Sequence, residues 1–236
     1  MAPSKVAKVY QNRLLSALAP ADLAMLSPHM ETTPFPLRQR LEYANRKIEH
    51  IYFMEHGVAS VVASARKDTQ VEVGIIGCEG STGMAVILGN DRSPHVTFMQ
   101  IAGNGQRLSV GRFREALGKS AAMERLFFRY VQAFMVQTAH TAVANARATL
   151  EERLARWLLM AHDRTDDDEL PLTHEFLSLM MGTRRPGVTE AMHVLTSHGL
   201  IKPERGMIRM LDREGLKERA NGFYGIPEAE YKRLMN

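Results

Sequence analysis

The residues with the clearest chemical potential are basic and polar side chains that follow a glycine in the C-terminal half of the chain. Arg185 comes shortly after Gly182, and Thr189 and Glu190 follow about one helical turn later. An arginine can donate two hydrogen bonds to guanine, a glutamate can accept one from cytosine N4, and a threonine offers a methyl or a hydroxyl group. These side chains near the start of an exposed helix predict the reading of base edges in DNA.

The segment that carries these side chains has the pattern of a helix-turn-helix. Thr173 is the predicted N-cap of a two-turn helix, which Gly182 ends by adopting a positive φ. Thr183 is the predicted N-cap of the next helix, whose first turn tolerates Pro186. Gly199 ends this second helix. An apolar stripe at helical spacing turns inward and leaves the base-reading side chains in solvent; it consists of Val188, Ala191, Met192 and Leu195.

Two short β-like runs follow, at 200–201 and 207–210, with a turn at 204–206. A hairpin after the second helix predicts a winged helix. The segment from Thr173 to Arg213 has six basic and four acidic residues, so charge alone does not identify a DNA-binding face. The prediction depends on where the basic residues stand. Six side chains around the base-reading face are predicted to contact phosphates: Thr173, His174, Thr183, Arg184, Lys202 and Arg205.

Composition limits the other classes of function. The chain has 236 residues, of which 45% are hydrophobic, and a net charge of +4. Its one cysteine, Cys78, excludes a disulfide framework and a four-thiolate metal site within one chain. No apolar run approaches the ~18 residues of a membrane span, and the first residues lack the apolar core of a signal peptide. We therefore expect a cytoplasmic protein without membrane contacts, catalytic residues or metal ligands.

The N-terminal half reads differently. Nine of the 17 glycines lie between Gly57 and Gly111, among β-like runs at 57–62, 71–76 and 96–101. Short strands separated by glycines predict a barrel or roll. Two short amphipathic helices are predicted before it, at 12–18 and 21–26.

A long helix is predicted between Ser120 and Ala148, because this stretch has no glycine or proline. At ~1.5 Å per residue it is about 40 Å long and needs a partner along its length. A parallel helix of a second subunit would supply one; alternatively, the helix covers the roll of its own chain. Thr149 and Glu152 then form a predicted capping box that starts a new helix. The predicted dimer contacts are Phe127, Tyr130, Phe134, Thr138 and Thr141.

In this order of elements the sequence resembles the Crp/Fnr superfamily of transcription regulators. The most specific part spans 172–189, followed by Leu195, 199–201, 205–206, Ile208 and 212–216. The resemblance implies an α+β chain: a β-roll similar to cyclic-nucleotide-binding domains (1–119), a long dimerisation helix (120–148) and a winged helix-turn-helix (149–236). It also implies a homodimer that binds a two-fold site on double-stranded DNA and contacts RNA polymerase.

Carried onto this sequence, the resemblance assigns base reading to Arg185, while Pro186 stands where cyclic-AMP-type members have a glutamate. Arg92 and Ser93 in the roll fall on effector-binding positions, and so does Thr138 on the long helix. Met84 replaces the ribose-binding glutamate, and Pro94 also departs from the pattern. We therefore expect no cyclic nucleotide and no certain cofactor. Haem stays open as an alternative, since four histidines are available without a diagnostic spacing: His50, His56, His95 and His140.

Two other classes of function are alternatives to DNA binding. A cupin-like metalloenzyme would need a His-x-His motif in the roll, and there is none. A ligand-binding signalling module whose winged helix binds a protein instead of DNA is the remaining alternative. As for a redox switch at Cys78, the adjacent Glu79 is expected to raise the pKa of the thiol and lower its reactivity.

Overall fold

The structure is a computed structural model that describes residues 9–66, 69–165 and 167–236. It begins with two short helices, α1 (Arg13–Ser16) and α2 (Pro20–Leu26), and a 3-10 turn (Ser27–His29). Asn12 attaches this segment to the rest of the chain. Its Nδ2 donates to the carbonyl oxygens of Met54 and Gly80, both at 2.8 Å, while its Oδ1 accepts from Leu15 N. The side chain therefore caps α1 and fastens it to the sheet.

An antiparallel sheet of five strands forms the N-terminal half. Its strands are β1 (Glu31–Phe35), β2 (Arg40–Glu42), β3 (His50–Ser64), β4 (Gln70–Ile76) and β5 (Val96–Ser109). The order is β1-β5-β3-β4, and β2 also pairs with β5. β3 and β5 are both much longer than the runs predicted at 57–62 and 96–101. β3 begins before Gly57 and continues through it, and β5 extends alongside as its pairing partner. This glycine has φ +86° and lies where the β3–β5 register shifts. The glycine therefore marks a bulge that bends β3, and it is not the beginning of the strand.

Strands β1 and β2 were missing from the sequence prediction. Pro34 lies within β1 and has no N–H to donate, which argues against a strand in sequence terms. The structure accommodates it because β1 is at the edge of the sheet, where one side of the strand needs no partner.

Helices α3 (Met84–Ile87), α4 (Val110–Leu117) and α5 (Ala121–Arg147) cover one side of this sheet. The long helix is confirmed at nearly its predicted bounds. Ser120 caps its start by accepting from Met123 N, and Ala148 leaves it in extended geometry. Phe127 of α5 meets Phe113 of α4 edge to face, with ring centroids 4.9 Å apart. The predicted capping box at Thr149 is present and begins α6 (Leu150–His162).

The C-terminal part is a winged helix. It contains β6 (Glu169–Leu170), α7 (His174–Met181), α8 (Arg185–Ser197), β7 (Ile201–Glu204) and β8 (Met207–Met210). Helices α9 (Arg213–Arg219) and α10 (Ile226–Met235) complete the chain. The predicted hairpin β7–β8 is confirmed. The run of four acidic residues at 166–169 predicts a solvated loop from sequence, but its last residue is in a strand. Glu169 is in β6, opposite Arg209 of β8. Asp166 lies outside the described residues.

A buried polar cluster joins the sheet to the winged helix. Glu72 of β4 accepts hydrogen bonds from Trp157 Nε1 of α6 at 2.6 Å and from Ser60 Oγ of β3 at 2.5 Å. The Ser60 hydroxyl oxygen also lies 3.4 Å from the sulfur of Met180 on α7. Around the cluster, apolar side chains of both parts form one continuous core. The orientation of the winged helix is therefore held by specific contacts.

Burial raises the pKa of the Glu72 carboxyl from 4.5 to about 7, although hydrogen bonds from Ser60 and Trp157 act in the opposite direction. Above pH 4.5 the unfolded chain releases a proton that the folded chain keeps until about pH 7. The free energy of unfolding therefore falls as pH rises through this window, by about 3 kcal/mol. We expect Glu72→Gln to remove this pH dependence and to be more stable than the wild type at pH 8.

Urea unfolding across this pH range, followed by fluorescence of Trp157, the only tryptophan, measures the effect. Glu218→Gln changes an exposed acid and serves as the matched control, with the wild-type slope. Equal pH slopes in wild type and Glu72→Gln would contradict the assignment of the buried proton to Glu72.

Candidate nucleic-acid interface

Helices α7 and α8 meet through a tight turn. Thr173 caps α7 by accepting from Phe176 N at 3.3 Å, as predicted. Gly182 ends α7 in the left-handed region, at φ 58°, and Thr183 N then donates to Ser178 O at 3.0 Å. The glycine is needed because an L side chain is strained at that φ. The predicted helix-turn-helix is therefore present.

One detail of this turn corrects the sequence prediction. Arg184, not Thr183, occupies the N-cap position of α8, and no side chain caps this helix. The backbone of Thr183 is used to close the end of α7, which moves the start of α8 one residue on. Pro186 in the first turn also removes one of the N–H groups that a capping side chain would bind.

The inner face of α8 is as predicted. Its stripe residues Val188, Ala191, Met192 and Leu195 are at most 3% exposed and pack in the core with α6. The opposite face is in solvent, and Arg185, Thr189 and Glu190 are all exposed. These three side chains share an open, shallow concavity with Pro186, His174 and His193. The structure thus brings the three predicted base readers together on one surface.

His193 was missed by the sequence prediction. It lies four residues after Thr189 and eight after Arg185, so it continues their row along the helix, and it is exposed. That spacing is a signal that the sequence already contained.

Thr189 is engaged in two local contacts. Its hydroxyl donates to Arg185 O at 3.1 Å, and its oxygen lies 3.2 Å from His174 Nδ1. Because the single hydroxyl proton is used, the oxygen can accept from a protonated Nδ1. The methyl group is then the part of the Thr189 side chain that remains available to contact another molecule. His174, predicted to contact phosphate, is positioned by this contact beside the base readers.

The guanidinium groups of Arg184, Arg185 and Arg205 are exposed and pair with no acidic side chain in the described part of the chain. Arg205 is at the tip of the wing, beside Gly206 at φ 75°. Lys202 differs, because its Nζ lies 3.1 Å from a carboxylate oxygen of Glu204. Of these three cations, Arg185 lines the concavity, whereas Arg184 and Arg205 are not among its lining residues. Lys202 is partly neutralised.

The three predicted effector-binding side chains have local partners. The exposed Arg92 pairs with Asp91 at 3.3 Å, Ser93 Oγ accepts from His95 N at 3.1 Å, and Thr138 Oγ1 donates to Phe134 O at 3.0 Å. The resemblance implies a phosphate cassette in this region, and near its start Gly83 N donates to the buried carboxylate of Glu42 at 2.7 Å. Burial raises the pKa of Glu42.

The amide of Gly83 therefore already has an internal acceptor. The histidines considered for haem are on separate elements: His50 and His56 on β3, His95 before β5, and His140 on α5. Within residues 9–66, 69–165 and 167–236, no group of three or more His, Cys, Asp or Glu is placed to hold a metal ion.

Two of the five predicted dimer contacts of α5, Phe127 and Tyr130, face the chain's own interior. Phe127 is 0% exposed and Tyr130 3% exposed, with the Tyr130 hydroxyl donating to Ser81 O. Phe134 packs at the sheet, and Thr138 and Thr141 each donate to a carbonyl oxygen one turn earlier in α5. Phe127 and Tyr130 therefore have no side-chain surface left for a second subunit, because the sheet and α4 already cover this stripe.

A second stripe of α5 remains in solvent. Phe128 is 43% exposed and Met135 59% exposed, although both are large and apolar. Phe128 and Met135 belong to a series of exposed positions spaced seven residues apart. A second series with the same spacing begins four residues after the first. The repeats are Ala121, Phe128, Met135 and Ala142, and Arg125, Gln132, Ala139 and Ala146; all eight residues are exposed. This heptad spacing is the sequence signal for the outward face of the helix.

The fold consists of a β-sheet domain joined by a long helix to a winged helix. Residues 152–219 match the family model of the Crp-like helix-turn-helix domain. No curated protein sequence matches the chain significantly.

Solved structures agree on the fold. A transcriptional regulator of the CRP family from Thermus thermophilus is 16% identical, with TM-score 0.67 over 80% of this chain and 97% of that one. FixK2 from Bradyrhizobium japonicum is 13% identical, with TM-score 0.66 over 80% and 96%. A CRP/FNR family regulator, also from Thermus thermophilus, is 18% identical, with TM-score 0.64 over 82% and 100%.

Residues 152–219 are thus a Crp-like helix-turn-helix domain, and the chain has the Crp/Fnr fold. The predicted resemblance and fold class are confirmed. These findings support DNA-binding transcription regulation and do not favour a winged helix that only binds proteins. No helix in the described part of the chain is long and apolar enough to cross a membrane.

Proposed function

We propose that this chain is a homodimeric transcription regulator that reads a two-fold DNA site with α8. The observation that carries the proposal is the exposed concavity of α8. It holds Arg185, Thr189 and Glu190 side by side with no acidic partner on Arg185 in the described residues. The opposite face of the helix is buried. A helix mounted in this way can enter the major groove with its N-terminal half.

Each base reader has a defined role. Arg185 donates two hydrogen bonds to guanine O6 and N7, and Glu190 accepts from cytosine N4. Thr189 uses its hydroxyl internally, so its methyl group contacts a thymine methyl. His193 extends the row and contacts the next base edge or phosphate.

Phosphate contacts surround this row. Arg184 at the start of α8 and Arg205 at the wing tip supply unpaired charges on either side. Thr173, His174 and Thr183 supply polar groups near the starts of α7 and α8. Lys202 contributes less, because Glu204 already neutralises part of its charge. These contacts fix the orientation of the protein on the duplex, and the base contacts supply the sequence preference.

The exposed heptad stripe of α5 forms the dimer. A parallel copy of α5 packs Phe128 and Met135 against their counterparts, and the alanines toward the C-terminal end of α5 allow the helices to approach closely. This pairing places two α8 helices about one DNA turn, ~34 Å, apart.

The division into a roll (1–119), a dimerisation helix (120–148) and a winged helix (149–236) belongs to this proposal. A signal at the roll would act on the winged helix through the Glu72 cluster and the junction at Thr149. The regulator works in the cytoplasm, contacts RNA polymerase when bound to DNA, and catalyses no reaction.

The dependence of duplex binding on salt tests the phosphate contacts. The logarithm of the binding constant for a random-sequence duplex should fall linearly with the logarithm of salt concentration. Arg205→Ala removes one phosphate contact per protomer, so the slope of the dimer should decrease by about 2. Arg112→Ala on α4 removes the same charge far from the interface and is the matched control. An unchanged slope in Arg205→Ala would contradict the role of the wing.

A further inference from the structure

A cavity of about 400 Å³ lies between α5, α10 and the end of α6. Its polar wall contains the buried ion pair of Arg164 and Glu79, whose Nε and Oε1 atoms are 2.7 Å apart. Its apolar wall consists of Ala133, Phe134, Pro227 and Met235. A cavity of this size with a few convergent polar groups is typical of small-molecule sites. None of the predicted effector residues Arg92, Ser93 and Thr138 lines it.

Two buried side chains keep unused hydrogen-bond donors in this cavity. Gln137 is 7% exposed, and its Oε1 accepts from Ile75 N at 2.7 Å. Its Nε2 has no partner in the described part of the chain. Arg164 donates from Nε to Glu79 and from Nη1 to Met160 O, which leaves Nη2 without a partner among the described residues. Both nitrogens retain accessible surface, since neither is an enclosed unpaired atom.

The three carboxylate side chains that line the cavity each have a partner within the chain. Glu79 binds Arg164 Nε and Gly77 N, and Asp163 accepts from Arg213 and from the Tyr224 hydroxyl. Glu228 accepts from Gly225 N. The hydroxyls of Tyr130 and Tyr231 donate to backbone carbonyl oxygens. The cavity therefore presents two buried donors that no lining acceptor uses.

Two of the cations that line the cavity have no acidic partner, although three acids, Glu79, Asp163 and Glu228, line it as well. Arg13 and Lys232 line the rim, are exposed, and pair with no acid in the part of the chain that the structure describes. Unpaired cations at the rim attract an anion, and the buried donors suit its oxygens.

We propose that this cavity binds a small organic carboxylate with an apolar body. The carboxylate oxygens accept from Arg164 Nη2 and Gln137 Nε2, and the body packs against Phe134 and Met235. The walls come from α5 and from the residues around the winged helix, so a bound acid links the dimer helix to the DNA-binding part. Only this consequence rests on the proposed function, since binding of the acid itself does not require DNA.

Isothermal titration of the full chain with benzoate, phenylpropionate and octanoate tests the site, with the three corresponding amides as uncharged counterparts. We expect at least one carboxylate to bind at millimolar concentration or below, and its amide to bind at least tenfold more weakly, because the amide lacks the charge that the donors recognise. Absence of binding by all three acids, or equal binding of acids and amides, would overturn the proposal.

Gln137→Glu identifies the position of the bound acid. Glutamate keeps the oxygen that accepts from Ile75 N, so the fold is preserved, but it replaces the spare donor by an acceptor. Affinity for the carboxylate should fall by about tenfold to 100-fold. Gln70→Glu on β4 adds the same charge outside the cavity and should bind as the wild type does. Wild-type affinity in Gln137→Glu would overturn the assignment, whatever the DNA-binding results.

Discussion

Met135→Glu should convert the protein from a dimer to a monomer. Met135 is 59% exposed in the single chain, and the heptad repeat places it opposite its counterpart in a parallel pair of α5 helices. The substitution buries two like charges against each other at the centre of the interface. We expect the dimer dissociation constant to rise by at least ~100-fold, because the desolvated charges have no compensating partner.

Loss of the dimer should also weaken binding to DNA. A monomer engages one half-site, so the affinity for a two-fold site should fall by a similar factor, while the fold stays intact. Sedimentation equilibrium measures the association, and fluorescence anisotropy with a labelled duplex measures the binding.

Ala122→Glu provides the matched control, since Ala122 is also exposed on α5 but lies outside the heptad stripe. This variant should remain dimeric. If Met135→Glu were dimeric as well, the outward stripe would not be the interface.

Arg185→Ala should abolish most of the sequence preference. Removing one arginine that binds guanine through two hydrogen bonds costs about 1–3 kcal/mol. The dimer loses this contact in both half-sites. We therefore expect the binding free energy for the preferred site to weaken by about 2–6 kcal/mol, with a much smaller loss for a scrambled site. Competition between the two duplexes at constant salt measures this ratio.

Arg205→Ala is the informative comparison, because it removes a charge at the wing without removing a base contact. It should weaken the preferred and scrambled sites alike. An Arg185→Ala variant that kept the wild-type ratio between the two sites would show that Arg185 does not read a base.

Local features of the fold could be predicted from the sequence because local interactions determine them. The bounds of α5 follow from a stretch without glycine or proline, and α6 begins where a threonine and a glutamate can cap each other. Gly182 and Gly206 marked the turns because both need a positive φ. The face of α8 could be predicted as well, since its apolar stripe has no competitor on the same helix.

The sequence could not decide which face of α5 packs on the sheet and which remains in solvent, because this helix has two apolar stripes. The stripe with Phe127 and Tyr130 is the more strongly apolar, and the sequence favours it for the dimer. In the structure the sheet and α4 cover it, which leaves the alanine-rich stripe outside. Which stripe faces the sheet depends on contacts between residues far apart in the chain. The same holds for Glu72, whose partner Trp157 is 85 residues away.

Selection of DNA from a random library with the purified protein, without added ligand, tests the central claim most directly. We predict enrichment of a two-fold site whose half-site centres are about 10 base pairs apart, with a guanine in each half-site that Arg185→Ala no longer selects. Enrichment of an unsymmetrical site would contradict the dimer. Failure to enrich any duplex would contradict the assignment of α8 as a DNA-reading helix in the unliganded protein.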